Sequence, residues 1–285
     1  MASEKARIDY SGKRLSAKEI REAEIALLLK FDELCKSKDL QYTLSGGTLL
    51  GAIRHGGFIP WDDDIDVNMP RPAFDRLVEL LKSDYMHGYD GYFFRAIVEG
   101  MKDPVYLKFC DPFISVKEER AAKSSNLWID IFPMDGLPEK TDEVAYVYRR
   151  ADRCRRALVA TMSDYAHGST PFKRVAKRIF IPIARATGID ILFAKRLVGI
   201  SKEIPYGETA YIGGIAWGLY GVGERVSARA FENCVTAKFE GHEFPIMACW
   251  REYLEGLYGD YMTLPPLENR ICHEMIAWRI DRGGA

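Results

Sequence analysis

Apolar and polar residues follow two different spacings along this chain, one helical and one extended. After a helix capping box, apolar side chains recur every three or four positions, which predicts an amphipathic helix over residues 16–38. A short strand is predicted at 42–44, and one or two helical turns after it end at Gly56 and Gly57. Apolar spacing predicts a second amphipathic helix over residues 70–82.

Short apolar or alternating runs predict β-strands between these helices. The first strand is acidic and ends near Asn68, and in it Ile65 and Val67 alternate with Asp64 and Asp66. In a strand, this spacing places both carboxylates on one face and both apolar side chains on the other. The order of strand, turn, helix, strand and helix indicates an α+β fold with a mixed sheet and flanking helices. Further strands are predicted at 92–98, 105–109, 112–116 and 127–132.

The second half of the chain changes character twice. Residues 141–205 are helical in composition and rich in arginine and lysine, which predicts a basic helical insertion. Such a run is either a set of solvated helix faces or a surface for an anionic membrane or a phosphorylated acceptor. Residues 235–239 and 243–246 flank a Glu-Gly-His turn and predict a hairpin, and a further helix is expected over 250–258.

Composition and charge narrow the classes of function. Forty basic and 41 acidic side chains give a formal net charge of -1, which does not favour nucleic-acid binding. Residues 1–14 lack the apolar core of a secretory signal, and no stretch approaches the roughly 20 apolar residues that span a bilayer. The six cysteines are scattered without a CxxC pair, which favours free thiols. We therefore expect a cytoplasmic protein.

The richest source of chemistry is the acidic segment 62–66, which holds four aspartates. Carboxylates this close repel one another, and a divalent cation such as Mg²⁺ (or Mn²⁺) removes the conflict while also binding substrate phosphates. A third acid, Asp130, stands among bulky apolar residues on another predicted strand. We predict that Asp64, Asp66 and Asp130 are catalytic metal ligands, with Asp130 also a candidate base. Taken alone, Asp130 is equally consistent with a strand-end carboxylate.

Residues near the acidic strand add groups suited to a phosphate donor. Gly46 and Gly47 let backbone N–H groups approach a phosphate closely, and the following helix N-terminus favours negative charge. Thr48 adds a hydroxyl donor. Arg54 and Lys108 are candidate cations for the same phosphates.

Three neighbouring residues keep several possible roles. Asp62 and Asp63 are candidates to cap the loop, to pair with Arg54 or Arg71, to add to the negative field around a metal ion, or to bind that ion directly. His55 is more consistent with a supporting hydrogen-bonding group than with a metal ligand.

Longer motifs around these residues resemble the LicD family of phosphotransferases, which is related to the fukutin proteins. Gly-Gly-Thr-Leu-Leu-Gly-Ala-Ile-Arg-His at 46–55 and Gly-Phe-Ile-Pro-Trp-Asp-Asp-Asp-Ile-Asp-Val at 57–67 resemble its first motif. Later pieces agree with the resemblance, which runs from about residue 30 to 275. They are Trp-Ile-Asp-Ile-Phe-Pro-Met-Asp-Gly at 128–136, Phe-Glu-Gly at 239–241, Tyr-Gly-Asp-Tyr-Met-Thr-Leu-Pro-Pro at 258–266, and then Arg270 and His273.

The resemblance implies a nucleotidyltransferase-like fold, and Asp64, Asp66 and Asp130 match the three acidic positions of that superfamily one by one. It also implies transfer of a phospho-alcohol group, with phosphocholine as the best-known case, from a CDP-linked donor such as CDP-choline. The implied acceptor is a sugar of teichoic acid, lipopolysaccharide or a capsule. Lys108 and Asp111 fall where the family has a Lys-x-x-Asp-like element, with Phe-Cys between them.

We therefore expect four segments. They are an N-terminal helix packed on the core (1–38), a nucleotidyltransferase-like catalytic core (39–140), the basic insertion (141–205) and a C-terminal part that completes the domain (206–285).

Three hypotheses of function follow from these residues. The first is a Mg²⁺-dependent phosphotransferase at the inner face of the plasma membrane, with peripheral contact to anionic lipid. The second is a nucleotidyltransferase that adds a nucleoside monophosphate to a small molecule or protein and releases pyrophosphate rather than CMP. The third, a non-catalytic scaffold, conflicts with three intact acids. A choline head group favours an aromatic cage; the candidates are Trp61, Trp128, Trp217, Tyr106, Tyr220 and Tyr258.

Overall fold

The computed structural model describes residues 12–82, 91–117, 125–162, 180–184, 186–270 and 275–280. Its helices are α1 Ala17–Lys38, α2 Gly46–His55, α3 Arg71–Lys82, α4 Thr141–Met162, α5 Ile189–Ser201, α6 Ala228–Glu232 and α7 Trp250–Tyr258. Its strands are β1 Lys13–Arg14, β2 Thr43–Leu44, β3 Asp66–Pro70, β4 Phe93–Ala96, β5 Leu107–Lys117, β6 Ser125–Leu137, β7 Tyr211–Gly213, β8 Val226–Ser227, β9 Cys234–Phe239, β10 His242–Met247 and β11 Ile276–Arg279.

Nine of these strands form one mixed sheet. Its main order is β1-β11-β5-β6-β3-β2, with β4 paired to β5, β7 paired to β6, and β8 paired to β7. Strands β3 and β6 run parallel, whereas β5 and β6 run antiparallel. A separate hairpin joins β9 and β10. The mixed sheet with flanking helices confirms the α+β prediction.

Local signals explain where the predicted helices begin and end. The Ser16 hydroxyl accepts the Glu19 amide while the Glu19 carboxylate accepts the Ser16 amide, so a complete capping box begins α1. Helix α1 ends at Asp39, which has a left-handed φ of 53°. Its apolar face, including Phe31, is fully buried against the sheet. The helices predicted over 16–38, 70–82 and 250–258 are confirmed.

Two apolar clusters hold the described residues together. The larger one lies between the sheet and the helices α1, α2, α3 and α7. The smaller one joins α4 and α5 to residues near 98–106 and 215–216. The basic segment therefore packs through its own cluster, while the four domain boundaries stay a prediction. In the ranges the structure describes, no helix is long and apolar enough to cross a membrane.

Several element boundaries differ from the prediction. Strand β3 begins at Asp66, so Asp64 lies just before the strand rather than within it. Helix α2 begins at Gly46, because the glycine pair forms its first turn instead of a separate loop. The two strands predicted at 105–109 and 112–116 are one strand, β5, whose pairing with β6 shifts register between Asp111 and Ser115. Pro112 lacks the N–H that regular pairing needs, which explains the irregularity.

Candidate active site

Three predicted site residues meet on neighbouring strands of the sheet. Asp66 of β3 lies directly opposite Asp130 of β6 in the parallel pair. Asp130 in turn lies opposite Lys108 of β5 in the antiparallel pair. Residues directly opposite one another point to the same face of a sheet. The strand pairing therefore brings the second and third acids and the predicted cation into one row.

The Asp130 carboxylate is held by two neighbours. Lys108 Nζ lies 3.1 Å from Asp130 Oδ1 and 3.3 Å from Oδ2. The Trp128 indole N–H donates to Oδ2 at 3.0 Å, and Lys108 Nζ sits 3.9 Å from the centre of the Trp128 ring. Lys108 is thus committed to Asp130 and Trp128, and its assignment as a contact to donor phosphate stays a prediction.

The glycine pair places the N-terminus of α2 against the acidic residues. Gly46 has a φ of 50°, and a Cβ there would stand 3.2 Å from Asp66 Oδ2. A Cβ on Gly47 would collide with the Asp62 carboxylate. Only glycine therefore lets the helix start this close to the two carboxylates. The first-turn N–H groups have no acceptor on their own helix, which suits an anion, although Gly46 also donates to the Tyr253 hydroxyl.

Thr48 and Ser45 fix the same turn in place. The Thr48 hydroxyl accepts the Asp66 amide at 2.9 Å, and the Ser45 amide donates to the Asp66 carbonyl at 3.0 Å. The Ser45 hydroxyl contacts the Tyr253 hydroxyl at 3.0 Å and does not cap the helix. Thr48 is buried, so the structure gives it a clear role in joining α2 to β3. Its predicted contact to donor phosphate stays a prediction.

Crowding of like charges dominates the electrostatics of this site. Burial raises the pKa of Asp64 well above its usual range, and the neighbouring Asp66, Asp62 and Asp130 carboxylates raise it further. Burial likewise raises the pKa of Asp66, with Asp130 and Asp62 as the next causes. Lys108 opposes the shift at Asp66 but does not cancel it. The site therefore holds more negative charge than its own side chains neutralise.

The donor set fits a hard divalent cation. Carboxylate oxygens are the ligands that Mg²⁺ prefers, and Asp130 Oδ1 is a buried atom that receives no well-directed hydrogen bond despite its ion pair with Lys108. In the part of the chain that the structure describes, no three histidine, cysteine or carboxylate side chains converge closely enough to enclose a metal ion. The oxygen chemistry of the three acids suits Mg²⁺, but their spacing in this structure does not enclose a metal ion, and their assignment as ligands stays a prediction.

Two adjoining cavities open beside the acids. One of about 330 Å³ is lined by Asp64, Asp66 and Asp130. The other, of about 390 Å³, is lined by Arg54 and Asp62. Gly47, Tyr220 and Tyr258 line both. Together the cavities form a continuous surface that runs from the acids to a cationic side chain.

Arg54 faces the second cavity from the last turn of α2. Its Nη1 donates to the Tyr261 carbonyl at 2.7 Å, and its Nε donates to His55 Nε2 at 3.0 Å. Burial, followed by the charge of Arg54, lowers the pKa of His55, so its neutral form is favoured as the acceptor. Arg54 lies in the predicted donor region. His55 contacts no carboxylate among the described residues.

The structure separates the six aromatic candidates into distinct places. Trp217, Tyr220 and Tyr258 line the acidic cavity, and the rings of Tyr220 and Tyr258 meet edge-on at 5.2 Å. Trp61 lines the second cavity, next to Arg54. The other two line neither cavity. The Tyr106 ring contacts the Trp217 ring at 4.9 Å, and the Trp128 ring forms a cation–π contact with Lys108.

Sequence reasoning missed Glu224, which also lines the acidic cavity. It ends a short 3₁₀ helix, Gly221–Glu224, that packs against α7, and it is only 6% exposed. Burial raises its pKa to about 7, while the backbone N–H groups of Tyr220 and Leu219 and the charge of Arg155 oppose the shift. No motif marks this residue, because its importance depends on which elements pack around it.

The basic insertion is only partly a solvated face. Arg155 is buried and donates to the Gly218 carbonyl at 2.6 Å and to Asp152 at 2.8 Å. Arg150 pairs with Glu203 at the α4–α5 interface. These two arginines therefore have structural roles and belong neither to a solvated helix face nor to a binding surface. Several residues of the prediction lie outside the described residues: Lys173, Arg174, Lys177, Arg178, Cys272 and His273. The other five cysteines are described, and they carry free thiols.

Comparisons with known proteins show which family and which relatives this chain resembles. The family described as LicD/FKTN/FKRP, nucleotidyltransferase domain, matches residues 39–164. The chain is 28% identical over 268 residues to the lipopolysaccharide cholinephosphotransferase LicD of Haemophilus influenzae, covering 92% of this chain and 97% of that protein. An uncharacterized protein of Rickettsia prowazekii is 33% identical over 108 residues, which are 38% of this chain and 37% of that protein. The comparisons thereby confirm the resemblance drawn from the motifs, and residues 39–164 of this chain match the LicD family model.

Proposed function

We propose that this protein is a transferase that moves phosphocholine from CDP-choline to a sugar of lipopolysaccharide or a related cell-surface glycan, such as teichoic acid or a capsule precursor. The observation that carries the proposal is the cavity where Asp64, Asp66 and Asp130 meet the glycine turn and three aromatic side chains. The name of the Haemophilus influenzae relative supports choline phosphate and lipopolysaccharide as the substrates.

In the proposed reaction, a sugar hydroxyl attacks the phosphorus that bears choline, the bond from that phosphorus to the CMP oxygen breaks, and CMP leaves. Asp64, Asp66 and Asp130 would hold Mg²⁺ (or Mn²⁺), which when bound neutralises the donor phosphates. The N-terminus of α2 turns its first N–H groups toward the same phosphates. Arg54 faces the adjoining cavity, where its charge suits the departing nucleotide.

Proton transfer falls to the carboxylates of the row. In the proposal, Asp130 completes the metal shell or accepts the proton of the attacking hydroxyl. Lys108 and Trp128 hold that carboxylate by an ion pair at 3.1 Å and a hydrogen bond at 3.0 Å. Their contribution is to fix the direction of Asp130 before the substrate arrives, which lowers the cost of reaching the reactive geometry.

The proposed setting is the cytoplasm, with contact to the inner face of the plasma membrane, where a lipid-linked acceptor lies. Arg149, Arg153 and Arg156 are spaced along the exposed side of α4 and supply positive charge for anionic lipid. We expect salt-sensitive sedimentation with phosphatidylserine vesicles, weakened by Arg153→Glu. Equal sedimentation of the variant and the wild type would contradict this part of the proposal.

The first experiment measures CMP release with Mg²⁺ from CDP-choline, CDP-ethanolamine, CDP-glycerol and CDP-ribitol. A glycan-lipid fraction supplies the acceptor, and each reaction is repeated with EDTA. We expect CMP release from CDP-choline that EDTA abolishes and that Asp64→Asn reduces by about 100-fold or more, at or above the upper end of the range for residues that only support a metal ligand. Glu255→Gln, an exposed carboxylate on α7, is the matched control and keeps wild-type activity.

Two results would overturn the proposal. Pyrophosphate release from a nucleoside triphosphate, without CMP release from any CDP donor, would assign the chain to the nucleotidyltransferases. Full CMP release by Asp64→Asn would remove the acids from the reaction.

A further inference from the structure

Glu224 is a buried carboxylate that faces the catalytic cavity without a cationic partner. Its Oε1 accepts the Tyr220 amide at 3.4 Å, and the Leu219 amide also donates to the carboxylate. Within the ranges the structure describes, no lysine or arginine forms an ion pair with it, since the nearby Arg155 is occupied by Asp152 and the Gly218 carbonyl. A buried carboxylate normally requires a pairing charge or several hydrogen bonds. Glu224 therefore has unused capacity to bind a positive charge.

The same cavity presents aromatic faces close to this carboxylate. Trp217, Tyr220 and Tyr258 line it together with Glu224. Tyr258 and Tyr220 meet edge-on at an interplanar angle of 74°, so the faces of the two rings are oriented in different directions. The Trp217 ring also contacts the Tyr106 ring, with 4.9 Å between their centroids and a tilt of 57°. Rings at steep angles around a small space suit a compact cation rather than a flat one.

A buried carboxylate beside aromatic faces is the chemistry that recognises a quaternary ammonium group. Such a group has no N–H to donate, so it is bound through charge and ring quadrupoles rather than hydrogen bonds. A neutral polyol would leave the buried Glu224 charge without a cationic partner. The cavity of about 330 Å³ is large enough for a trimethylammonium group beside the acids.

We propose that Glu224 supplies the counter-charge for the quaternary ammonium of the donor and so sets the preference for choline over neutral alcohols. The inference rests on the proposed function for its substrate, and no motif or comparison points to this residue. In the free protein, burial raises the pKa of Glu224 to about 7. A bound cation supplies the missing partner and favours the ionised carboxylate.

The test compares CDP-choline with its neutral isostere, in which 3,3-dimethylbutanol replaces choline. For Glu224→Gln we expect kcat/KM for CDP-choline to fall by about 30-fold or more, the effect of removing one partner of a desolvated charge pair. The neutral isostere is expected to change little. Tyr220→Leu, at a residue that is 45% exposed, is expected to weaken the same preference. Glu255→Gln keeps it.

A binding measurement separates this inference from the proposed function. Tetramethylammonium alone is titrated against the intrinsic tryptophan fluorescence of wild type, Glu224→Gln and Glu255→Gln. We expect saturable binding that Glu224→Gln loses and Glu255→Gln retains. If no CDP donor is turned over but this pattern holds, the proposed function fails and the cation site stands. If CDP-choline is turned over and Glu224→Gln keeps the wild-type preference over the isostere, the inference fails and the proposed function stands.

Discussion

A buried ion pair joins Arg71 to Asp135, an acid of the same sequence motif as Asp130. Arg71, at the start of α3, donates to Asp135 of β6 through Nε at 2.5 Å and Nη2 at 2.9 Å. The two side chains are 8% and 0% exposed. The motif 128–136 therefore holds two acids with different surroundings, since Asp130 lines the cavity whereas Asp135 joins the sheet to a helix.

Removal of one partner leaves the other charge buried and unpaired. Breaking a buried ion pair typically costs 3–5 kcal/mol, so we expect Asp135→Ala to lower the free energy of unfolding by about 4 kcal/mol. Arg71→Met is expected to cost a similar amount. The double variant Arg71→Met/Asp135→Leu removes both charges and keeps apolar volume, so its expected loss is about 1 kcal/mol. The pair thus has an expected coupling energy of several kcal/mol.

Urea unfolding followed by tryptophan fluorescence measures these differences as shifts of the midpoint at constant slope. CMP release is measured in parallel at a temperature where every variant is folded. We expect the double variant to transfer at close to the wild-type rate, because Asp135 lines neither of the two cavities beside the acids. A stable but inactive Asp135→Ala protein would refute the reasoning and make Asp135 a catalytic group.

Three further predictions follow from other residues. Burial raises the pKa of Glu224 from 4.5 to about 7, so its contribution to stability is complete below pH about 4.5 and is lost as the pH rises through 7. In urea unfolding, wild type is expected to lose about 3 kcal/mol from this group between pH 5 and pH 8, and Glu224→Gln to lack that loss. Asp66→Asn removes one crowded carboxylate, so in EDTA its Tm should rise by about 2 °C, whereas Mg²⁺ should stabilise only the wild type, as scanning calorimetry would show. Ser16→Ala deletes the hydroxyl of the capping box and is expected to cost about 1 kcal/mol by urea unfolding. Thr141→Ala, at an exposed threonine that begins α4, is the control.

Elements with local signals were predictable from the sequence. The capping box at Ser16 and the 3.6-residue apolar period specify α1 without reference to the rest of the chain. The hairpin of β9 and β10 likewise depends on a turn at Glu240, whose left-handed φ of 49° is followed by Gly241. Strand boundaries were less predictable, because they depend on pairing partners. Strand β6 extends to Leu137 since β7 pairs with its last residues.

The acids of the candidate site were predictable from the sequence, whereas the contacts of Lys108 and the position of Glu224 were not. Asp64 and Asp66 stand out because clustered carboxylates are rare without a cation, and Asp130 stands out as a single carboxylate among bulky apolar residues on a predicted strand. The contact of Lys108 with Asp130 depends on the register of β5 against β6, which no local pattern encodes. Glu224 enters the cavity because the 3₁₀ helix at Gly221–Glu224 packs on α7, far along the chain from the acidic motif. Its signal is a buried polar group, and burial is a property of the fold.

Arginine partners distinguish two structural acids of this protein from two acids that face the cavity. Asp135 and Asp152 are each bound by arginine, whereas Asp130 Oδ1 receives no well-directed hydrogen bond and Glu224 forms no ion pair within the described residues. Glu24 of α1 is buried without a hydrogen bond as well, and its pKa is raised by burial and then by Asp63. Folding alone does not require such an excess of buried negative charge, which costs stability. Positively charged groups of the bound state offset it in the two proposals, a divalent cation at the aspartates and a quaternary ammonium at Glu224.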